Sequence, residues 1–354
     1  MSSTKPVGRA AVSATAALTP ADARRRPPAW RKLLVLAVCA LALLAAVAAS
    51  LALGVRGMDP GAVWQALVAP DLTDPDQAVV LQLRVPRTVI GLAAGIALAL
   101  AGTLIQGVTR NPIADPGLLG VNSGASLAVV LCISILGVTS PLGYIWFAFA
   151  GAAAAALLVF AIGGAQPVRL ALVGAALTAL LTPLIALVLI RDTEAFNQYR
   201  FWAVGSLTGR DLDTVGMLWP FLLVGAILAA ALAHRLNLLA LGDDVASALG
   251  QRVGATRAVA GVAIVLLCGT ATALAGPIAL VGLVVPHAAR RLVGSDYRWI
   301  TAAAFLLGPV MLLAADVIGR LIVPNSELEA GVVAAFLGAP VLIAIARSRR
   351  VAGL

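Results

Sequence analysis

Long runs of apolar residues, separated by short polar connections, dominate the chain from residue 33 onward. Most runs approach the roughly 20 residues that an α-helix needs to cross the hydrocarbon core of a bilayer. The pattern predicts an all-α, polytopic membrane protein of about ten transmembrane helices. The predicted spans are residues 33–53, 89–107, 118–136, 142–162, 170–190, 215–233, 258–274, 277–289, 300–318 and 331–346. The eighth run is short, which is typical of a half-helix.

Two of the polar connections are long enough to carry structure of their own. The first, residues 56–87, contains an amphipathic stretch around Val63, Trp64 and Leu67. The second, residues 191–214, contains aromatic residues of the kind that are enriched where a membrane meets water. These aromatics are Phe196, Tyr199, Phe201 and Trp202. We interpret them as membrane anchors.

The amino-terminal residues differ from the rest of the chain. Residues 1–29 are rich in Ala, Ser, Thr, Pro and Arg, a composition typical of disorder, and we predict a disordered cytoplasmic tail. Residues 30–354 then form one transmembrane domain. Basic residues before the first apolar run resemble the start of a signal peptide, but that run is long for one. The small residues 48–50 leave cleavage there as an alternative.

Composition and charge support a membrane location. Hydrophobic residues make up 61% of the 354 residues and charged residues only 12%, about half the charged fraction of a soluble domain. The formal net charge of +9 lies in connections between apolar runs, which favours cytoplasmic loops and argues against binding of nucleic acid. Most of the 25 lysines and arginines fall on one side of the predicted topology. Both termini are therefore predicted to be cytoplasmic.

The connection between the sixth and seventh predicted spans, residues 236–253, is too polar to cross a membrane and too apolar for a free loop. Its apolar residues recur at helical spacing. Asp243 and Asp244 suit the first turn of a helix, and Gly250 suits its end. The segment therefore predicts a short amphipathic cytoplasmic helix with an exposed apolar face. Its acidic start favours a protein partner over anionic lipid. The apolar residues are Leu241, Val245, Ala248 and Leu249.

Residues 111–120 are weakly similar to residues 276–285, and both segments contain Gly and Pro. An odd number of predicted spans separates them, so the two segments cross the membrane in opposite directions. This arrangement predicts an inverted repeat. Breaks in a helix at membrane depth free backbone polar groups, which belong at cavities or protein interfaces because lipid cannot satisfy them.

The sequence lacks the residues that a nucleotide hydrolase needs. Its only lysines are Lys5 and Lys32, both before the first span, so no Gly-x-x-x-x-Gly-Lys phosphate loop exists. Any ATP hydrolysis must therefore belong to another chain. No Ser/His/Asp grouping suggests a catalytic site, and we predict neither an enzyme nor a bound cofactor. The main acid within a span is Asp316, four residues before Arg320, which we interpret as an internal ion pair.

No metal site or disulfide is expected from the remaining candidate ligands. The cysteines each fall inside a different predicted span, and nothing in their spacing pairs them. The two histidines, His234 and His287, are far apart and expected in loops. The cysteines are Cys39, Cys132 and Cys268.

Several short motifs, in order along the chain, resemble the iron-siderophore/cobalamin permeases of ABC importers, known as the FecCD-type or type II transmembrane subunits. Together they cover about residue 33 to the end and are specific as a set. They are residues 83–88, 102–107, 111–120, 236–253, 282–287, 315–320 and 331–340.

The resemblance implies a dimer of permease subunits, each with ten helices, in the cytoplasmic membrane. The expected partners are cytoplasmic ATPase subunits, an extracytoplasmic substrate-binding protein, a second permease that is identical or paralogous, and lipid. The segment at 236–253 resembles the coupling helices that contact the ATPases. The residues implied in that contact are Asp243, Asp244, Val245, Ala246, Leu249 and Gly250.

The resemblance also implies two further sites. Arg84, Arg87 and Arg320 resemble outward-facing arginines that meet acidic residues of the binding protein, and they lie outside against the positive-inside trend; anchoring of Arg84 and Arg87 to lipid headgroups is the alternative. A second set resembles the inner gate of the translocation path. This set is Asn111, Ile113, Gln166, Pro167 and Val168, of which 166–168 replace the small hydroxyl residues of some members.

The implied function is import of a ferric siderophore, driven by ATP hydrolysis on the partner chains. Cobalamin and haem are alternative substrates within the same family. An ion-coupled secondary carrier is an alternative of another class, but it needs membrane-embedded acids or a proton relay, and these are nearly absent. A membrane-embedded enzyme needs clustered catalytic residues, and none are visible in the sequence.

Overall fold

The computed structural model describes residues 28–54, 57–164, 166–323 and 326–347, and within these ranges the chain is helical with no β-strand. The predicted all-α fold is confirmed. Nearly all of the predicted disordered tail lies outside the described residues, and its last residue, Ala29, already begins the first helix.

Each predicted span corresponds to a helix. These are α1 (Ala29–Ala52), α4 (Val85–Thr109), α5 (Val121–Leu136), α6 (Pro141–Gly163), α7 (Pro167–Arg191), α9 (Leu212–Leu239), α11 (Val253–Ala275), α12 (Val281–Val293), α13 (Tyr297–Ile322) and α14 (Ala330–Arg347). Among the described residues, 7 helices are long and apolar enough to cross a membrane. Of the remaining spans, α5 and α14 are shorter apolar helices, and α12 is the shortest with 13 residues.

Shorter elements connect the spans. They are α2 (Pro60–Val68), α3 (Pro75–Val79), a π-helical turn (Val80–Arg84), a 3-10 turn (Pro116–Leu119), α8 (Thr193–Ala203) and α10 (Asp243–Ala248). The amphipathic stretch predicted near residue 63 is α2, in which Val63 is buried while Trp64 and Leu67 are exposed. The aromatic connection is α8, in which Trp202 is buried while Phe196 and Phe201 are exposed.

Several predicted boundaries are wrong because hydropathy detects only the apolar middle of a helix. The helix α9 runs through Leu239, so residues 236–239 belong to it and not to the coupling segment. The helix α11 begins at Val253, five residues before its predicted start. In contrast, α12 begins four residues late, since Gly276 and Leu280 have positive φ angles of 74° and 69° that stop a right-handed helix.

The helix α4 lies at the centre of the bundle, since 83% of the residues in its most apolar stretch are buried. Only 11% of the corresponding residues are buried in α1 and in α7. Glycines let the neighbours of α4 approach closely. A Cβ on Gly102 would lie 1.8 Å from the carbonyl oxygen of Gly282 in α12. A Cβ on Gly95 would lie 2.6 Å from Pro309 Cα in α13. Small residues at such crossings are typical of helix packing in membranes.

Helix contacts agree with the predicted inverted repeat. The helix α4 packs against α13, and its counterpart α11 packs against α6; likewise α5 packs on α6 as α12 packs on α13. The two weakly similar segments also meet, because a Cβ on Gly282, at the start of α12, would lie 2.9 Å from Pro116 Cδ. Their contact is inside the bundle, although Asn111, Ile113 and Ala279 are exposed.

Candidate functional site

A cluster of charged side chains lies at one end of the bundle, where α1, α4 and α13 meet. Arg87 donates to Asp316 from Nε at 2.8 Å and pairs with it through Nη2 at 2.7 Å. Its remaining nitrogen, Nη1, lies 2.6 Å from Glu327 Oε2. Arg320 pairs with the other carboxylate oxygen of Asp316. The predicted pair of Asp316 and Arg320 is therefore present, and Arg87 joins it from a distant part of the chain.

Arg320 and a third arginine, Arg84, also bind the carboxyl end of α1. Arg84 Nη1 donates to the carbonyl oxygens of Leu51 and Ala52, at 2.8 and 2.7 Å. Arg320 donates to the carbonyl and the hydroxyl of Ser50, at 2.9 and 3.0 Å. The last carbonyls of a helix have no partner within it, and cations are favoured there. The arginines therefore fix the end of α1 against α4 and α13.

The arginines expected to face outward lie beneath the surface. Arg84, Arg87 and Arg320 are each at most 7% exposed. They line one wall of a cavity of about 370 Å³. Glu327, Arg210 and Asp211 also line it. The structure therefore brings the three predicted residues together. They are accessible through a cavity and do not lie on an open face.

The opposite end of the bundle carries α10, the predicted amphipathic helix. Val245 and Leu249 are 47% and 59% exposed, so the helix presents an apolar face that the described residues leave uncovered. Asp244 is exposed beside them. Gly250 follows the helix with φ of 82°, a conformation that favours glycine. The predicted short helix with its acidic start and glycine end is confirmed in these positions.

Two residues of the predicted coupling set hold α10 against the bundle, although the side chain of Asp243 is 40% exposed. Asp243 forms a two-pronged pair with Arg257 of α11, at 3.0 and 3.1 Å, and lies 3.4 Å from Arg110. Ala246 is completely buried, and its carbonyl accepts a hydrogen bond from the Gln251 amide. Ala246 therefore packs α10 onto the bundle, and a partner protein cannot reach its side chain in this conformation.

The predicted gate residues lie at this same end. Asn111 and Val168 line a cavity of about 340 Å³ between the end of α4 and the start of α7. Asn111 Oδ1 accepts a hydrogen bond from the Ile113 amide at 3.1 Å, and Ile113 is partly exposed beside it. Gln166 precedes α7 and is exposed, and Pro167 begins that helix. The two stretches of chain that make up the predicted gate are thus adjacent.

A hydrogen-bonded junction at the end of α9 joins that helix to the start of α13. The side chain of Asn237 in α9 donates to Asp296 at 2.7 Å and accepts from the Tyr297 amide at 2.8 Å. Asp296 also accepts from the Arg298 amide and so begins α13. Partial burial opposes ionisation of Asp296, but the hydrogen bonds from Asn237 and Arg298 outweigh it and lower its pKa. Ionised Asp296 therefore stabilises the junction.

Both histidines lie in helices, contrary to the expectation of loops. His234 lies in α9 and its ring Nδ1 is 2.6 Å from Arg298, while His287 lies in α12. Sequence reasoning also missed Glu327, Arg210 and Arg257, since each acts with residues that are far away along the chain. Only the positions of these residues in helix-flanking segments could have drawn attention to them.

The fold defines a polytopic membrane protein, with a buried charged cluster at one end of the bundle and the helix α10 at the other. The FecCD transport family model matches residues 42–348, so the chain belongs to that family, as its motifs predicted.

Relatives agree with this assignment along most of their length. The chain is 47% identical over 315 residues to the ferric enterobactin transport system permease protein FepD of Escherichia coli (strain K12), covering 87% of this chain and 93% of FepD. It is 36% identical over 322 residues to the iron(3+)-hydroxamate import system permease protein FhuB of Bacillus subtilis (strain 168), covering 90% and 83%. A solved structure described as an inward-facing metal-chelate type ABC transporter aligns with a TM-score of 0.79 at 28% identity, over 89% of this chain and 99% of that one.

Proposed function

We propose that the chain is one of two permease subunits in an ABC importer that carries a ferric siderophore across the cytoplasmic membrane. The similarity to FepD, which extends over 93% of that ferric enterobactin permease, carries the proposal. The chain itself lacks a phosphate-binding loop, so ATP is hydrolysed on partner subunits. ATP binding and hydrolysis there shift the permease between states open to opposite sides, through differential interactions with each state.

The two ends of the bundle take different partners. The exposed face of α10, with Asp244, Val245, Leu249 and Gly250, contacts the ATPase on the cytoplasmic side, while Asp243 and Ala246 hold α10 in place. The segments around Asn111 and Val168 form the inner gate. Both termini are cytoplasmic, in agreement with the excess of positive residues on that side. The exposed apolar residues of α1 contact lipid.

An extracytoplasmic binding protein docks at the opposite end and delivers the chelate. Arg84, Arg87 and Arg320 form its docking site, because arginine pairs carboxylates through two parallel hydrogen bonds. The cavity of about 370 Å³ gives acidic side chains of the binding protein a route to these guanidinium groups. Specificity for the chelate then belongs to the binding protein, and the permease needs to grip the substrate only weakly.

Two experiments test this proposal. Affinity purification of the tagged permease from iron-starved cells is expected to recover an ATPase with a phosphate-binding loop and a substrate-binding protein. A deletion strain is expected to lose growth on a ferric siderophore as sole iron source and to keep growth on ferrous iron. Loss of growth only on haem, or only of cobalamin uptake, would reassign the substrate. Recovery of no ATPase would refute the ABC importer.

A further inference from the structure

Glu327 is the exposed member of an otherwise buried ion network. Its side chain is 37% exposed, whereas that of Arg87 is 9% exposed and that of Asp316 is inaccessible. It lies in the short connection between α13 and α14 and lines the cavity at the docking end. Glu327 therefore stands between Arg87 and the space through which a partner would approach.

The nitrogens of Arg87 are divided between two carboxylates. Nε and Nη2 face Asp316, which is fully buried and also paired with Arg320, so this side of the guanidinium is closed to any partner. Nη1 faces Glu327 at 2.6 Å. A carboxylate of a partner that bound Arg87 would need to contact Nη1, because charge-assisted hydrogen bonds require direct contact.

The backbone beside Glu327 is held by α13, whereas the side chain of Glu327 is partly exposed to the cavity. The Leu328 amide donates to the Gly319 carbonyl of α13 at 3.0 Å, and a Cβ on Gly319 would lie 2.3 Å from the Leu328 carbonyl oxygen. Rotation of the Glu327 side chain into the cavity would expose Nη1 of Arg87 without any movement of the helices.

We propose that Glu327 is an internal competitor for docking: it occupies Arg87 in the free permease and is displaced by an acidic side chain of the binding protein. This inference rests on the proposed docking function of Arg87. The contact keeps Arg87 neutralised and correctly oriented between docking events. It also weakens docking, so that a delivered binding protein dissociates readily.

The test measures the affinity of the purified permease–ATPase complex, in lipid nanodiscs at low salt, for the binding protein recovered by affinity purification. Glu327→Gln removes the negative charge and keeps the shape, and we expect binding to tighten about two- to fivefold, since removing a partly exposed ion pair shifts an equilibrium by up to about that factor. Glu327→Ala is expected to tighten binding in the same direction.

Two matched controls remove the same charge nearby. Glu329→Gln alters the same connection two residues later, and Asp211→Asn alters another acid that lines the cavity. Both are expected to change the dissociation constant less than twofold. If Asp211→Asn tightens binding as much as Glu327→Gln, general electrostatic attraction explains the effect and competition is refuted. Weaker binding by Glu327→Gln would also refute it, because Glu327 would then support docking.

Arg87→Ala separates this inference from the docking proposal. Docking predicts that Arg87→Ala weakens binding at least about tenfold, the usual effect of removing a buried charged partner from an interface. Unchanged binding by Arg87→Ala would refute docking at Arg87 itself. Weakened binding by Arg87→Ala together with unchanged binding by both Glu327 variants would refute only the competition.

Discussion

Asp316 is a fully buried acid at one end of the bundle, and its two arginine partners explain how an acid is tolerated there. A buried charge is costly unless it is paired and hydrogen-bonded. The spacing of four residues correctly predicted the pair with Arg320, because such residues share a helix face. Arg87 was not predictable as the second partner, since 229 residues separate it from Asp316. Sequence spacing reveals local pairs, but pairs between helices depend on how the bundle assembles.

The first prediction concerns Asp316 and its two arginine partners. Asp316→Asn is expected to leave two arginines buried without their shared counter-ion and to cost about 3–5 kcal/mol of stability. A thermal unfolding measurement in detergent would show this as a large drop in Tm. Glu327→Gln serves as the comparison and is expected to cost less than about 1 kcal/mol, because its side chain is partly exposed. Equal effects of the two variants would contradict the central role given to Asp316.

The second prediction concerns the crossing of α4 and α12. Gly102→Ala is expected to destabilise the protein by about 1–3 kcal/mol or more, because its Cβ would overlap the Gly282 backbone and a packed core resists added volume. Gly216→Ala in α9 is the matched control, since nothing lies within 4 Å of its Cβ position. Unfolding curves and the yield of monodisperse protein measure both. A tolerated Gly102→Ala would contradict the close approach.

At the scale of single elements, the sequence pattern located every span but misplaced several ends. Hydropathy detects the apolar middle of a helix, whether it faces lipid or protein, so the polar extensions of α9 and α11 were missed. The pattern of α10 was predicted correctly because its acidic start, apolar spacing and terminal glycine are all local signals. The anchors of α10 were not, since Asp243 binds Arg257 and Arg110 only after the helices pack. The sequence alone does not distinguish Asp243, which anchors α10, from Asp244, which is exposed.

Neighbouring aspartates of α10 therefore have separable roles, which is the third prediction. Asp243→Asn is expected to speed hydrogen exchange in α10, because the pair with Arg257 is lost. Asp244→Asn is expected to leave exchange unchanged and to lower the ATPase activity of the assembled transporter. The two variants differ by one position and remove the same charge, so each controls for the other. Equal exchange in both would contradict the anchoring role of Asp243.

The junction of α9 with the start of α13 supplies a fourth prediction. The lowered pKa of Asp296 means that its ionised form stabilises the folded state above the pKa of the unfolded chain, and that this stabilisation is lost as the pH falls through the folded pKa. The Tm difference between the wild type and Asp296→Asn is therefore expected to shrink from about pH 7 to about pH 3. A difference that is independent of pH would contradict the role of the charge.

At the scale of the whole molecule, the weak similarity of two short segments proved a sound guide to the architecture. The two similar segments meet in the bundle, and the packing of α4 on α13 and of α5 on α6 is matched by that of α11 on α6 and of α12 on α13. The motifs likewise predicted the family. Exposure was not predictable: the three arginines proposed for docking lie under a cavity and not on an open surface. The burial of Arg84 and Arg320 depends on the end of α1, and Arg87 contacts Glu327, which no motif includes.

The function proposed for this permease is the inward transport of a ferric siderophore, driven by ATP hydrolysis on its partner subunits. The most direct test is transport into proteoliposomes that contain the purified permease and ATPase, with the binding protein and radioactive ferric siderophore on the side opposite ATP. The radioactive siderophore is expected to accumulate inside the proteoliposomes only when both ATP and the binding protein are present. This accumulation is expected to persist when ion gradients are abolished. Accumulation without ATP, driven by a proton or sodium gradient, would contradict it.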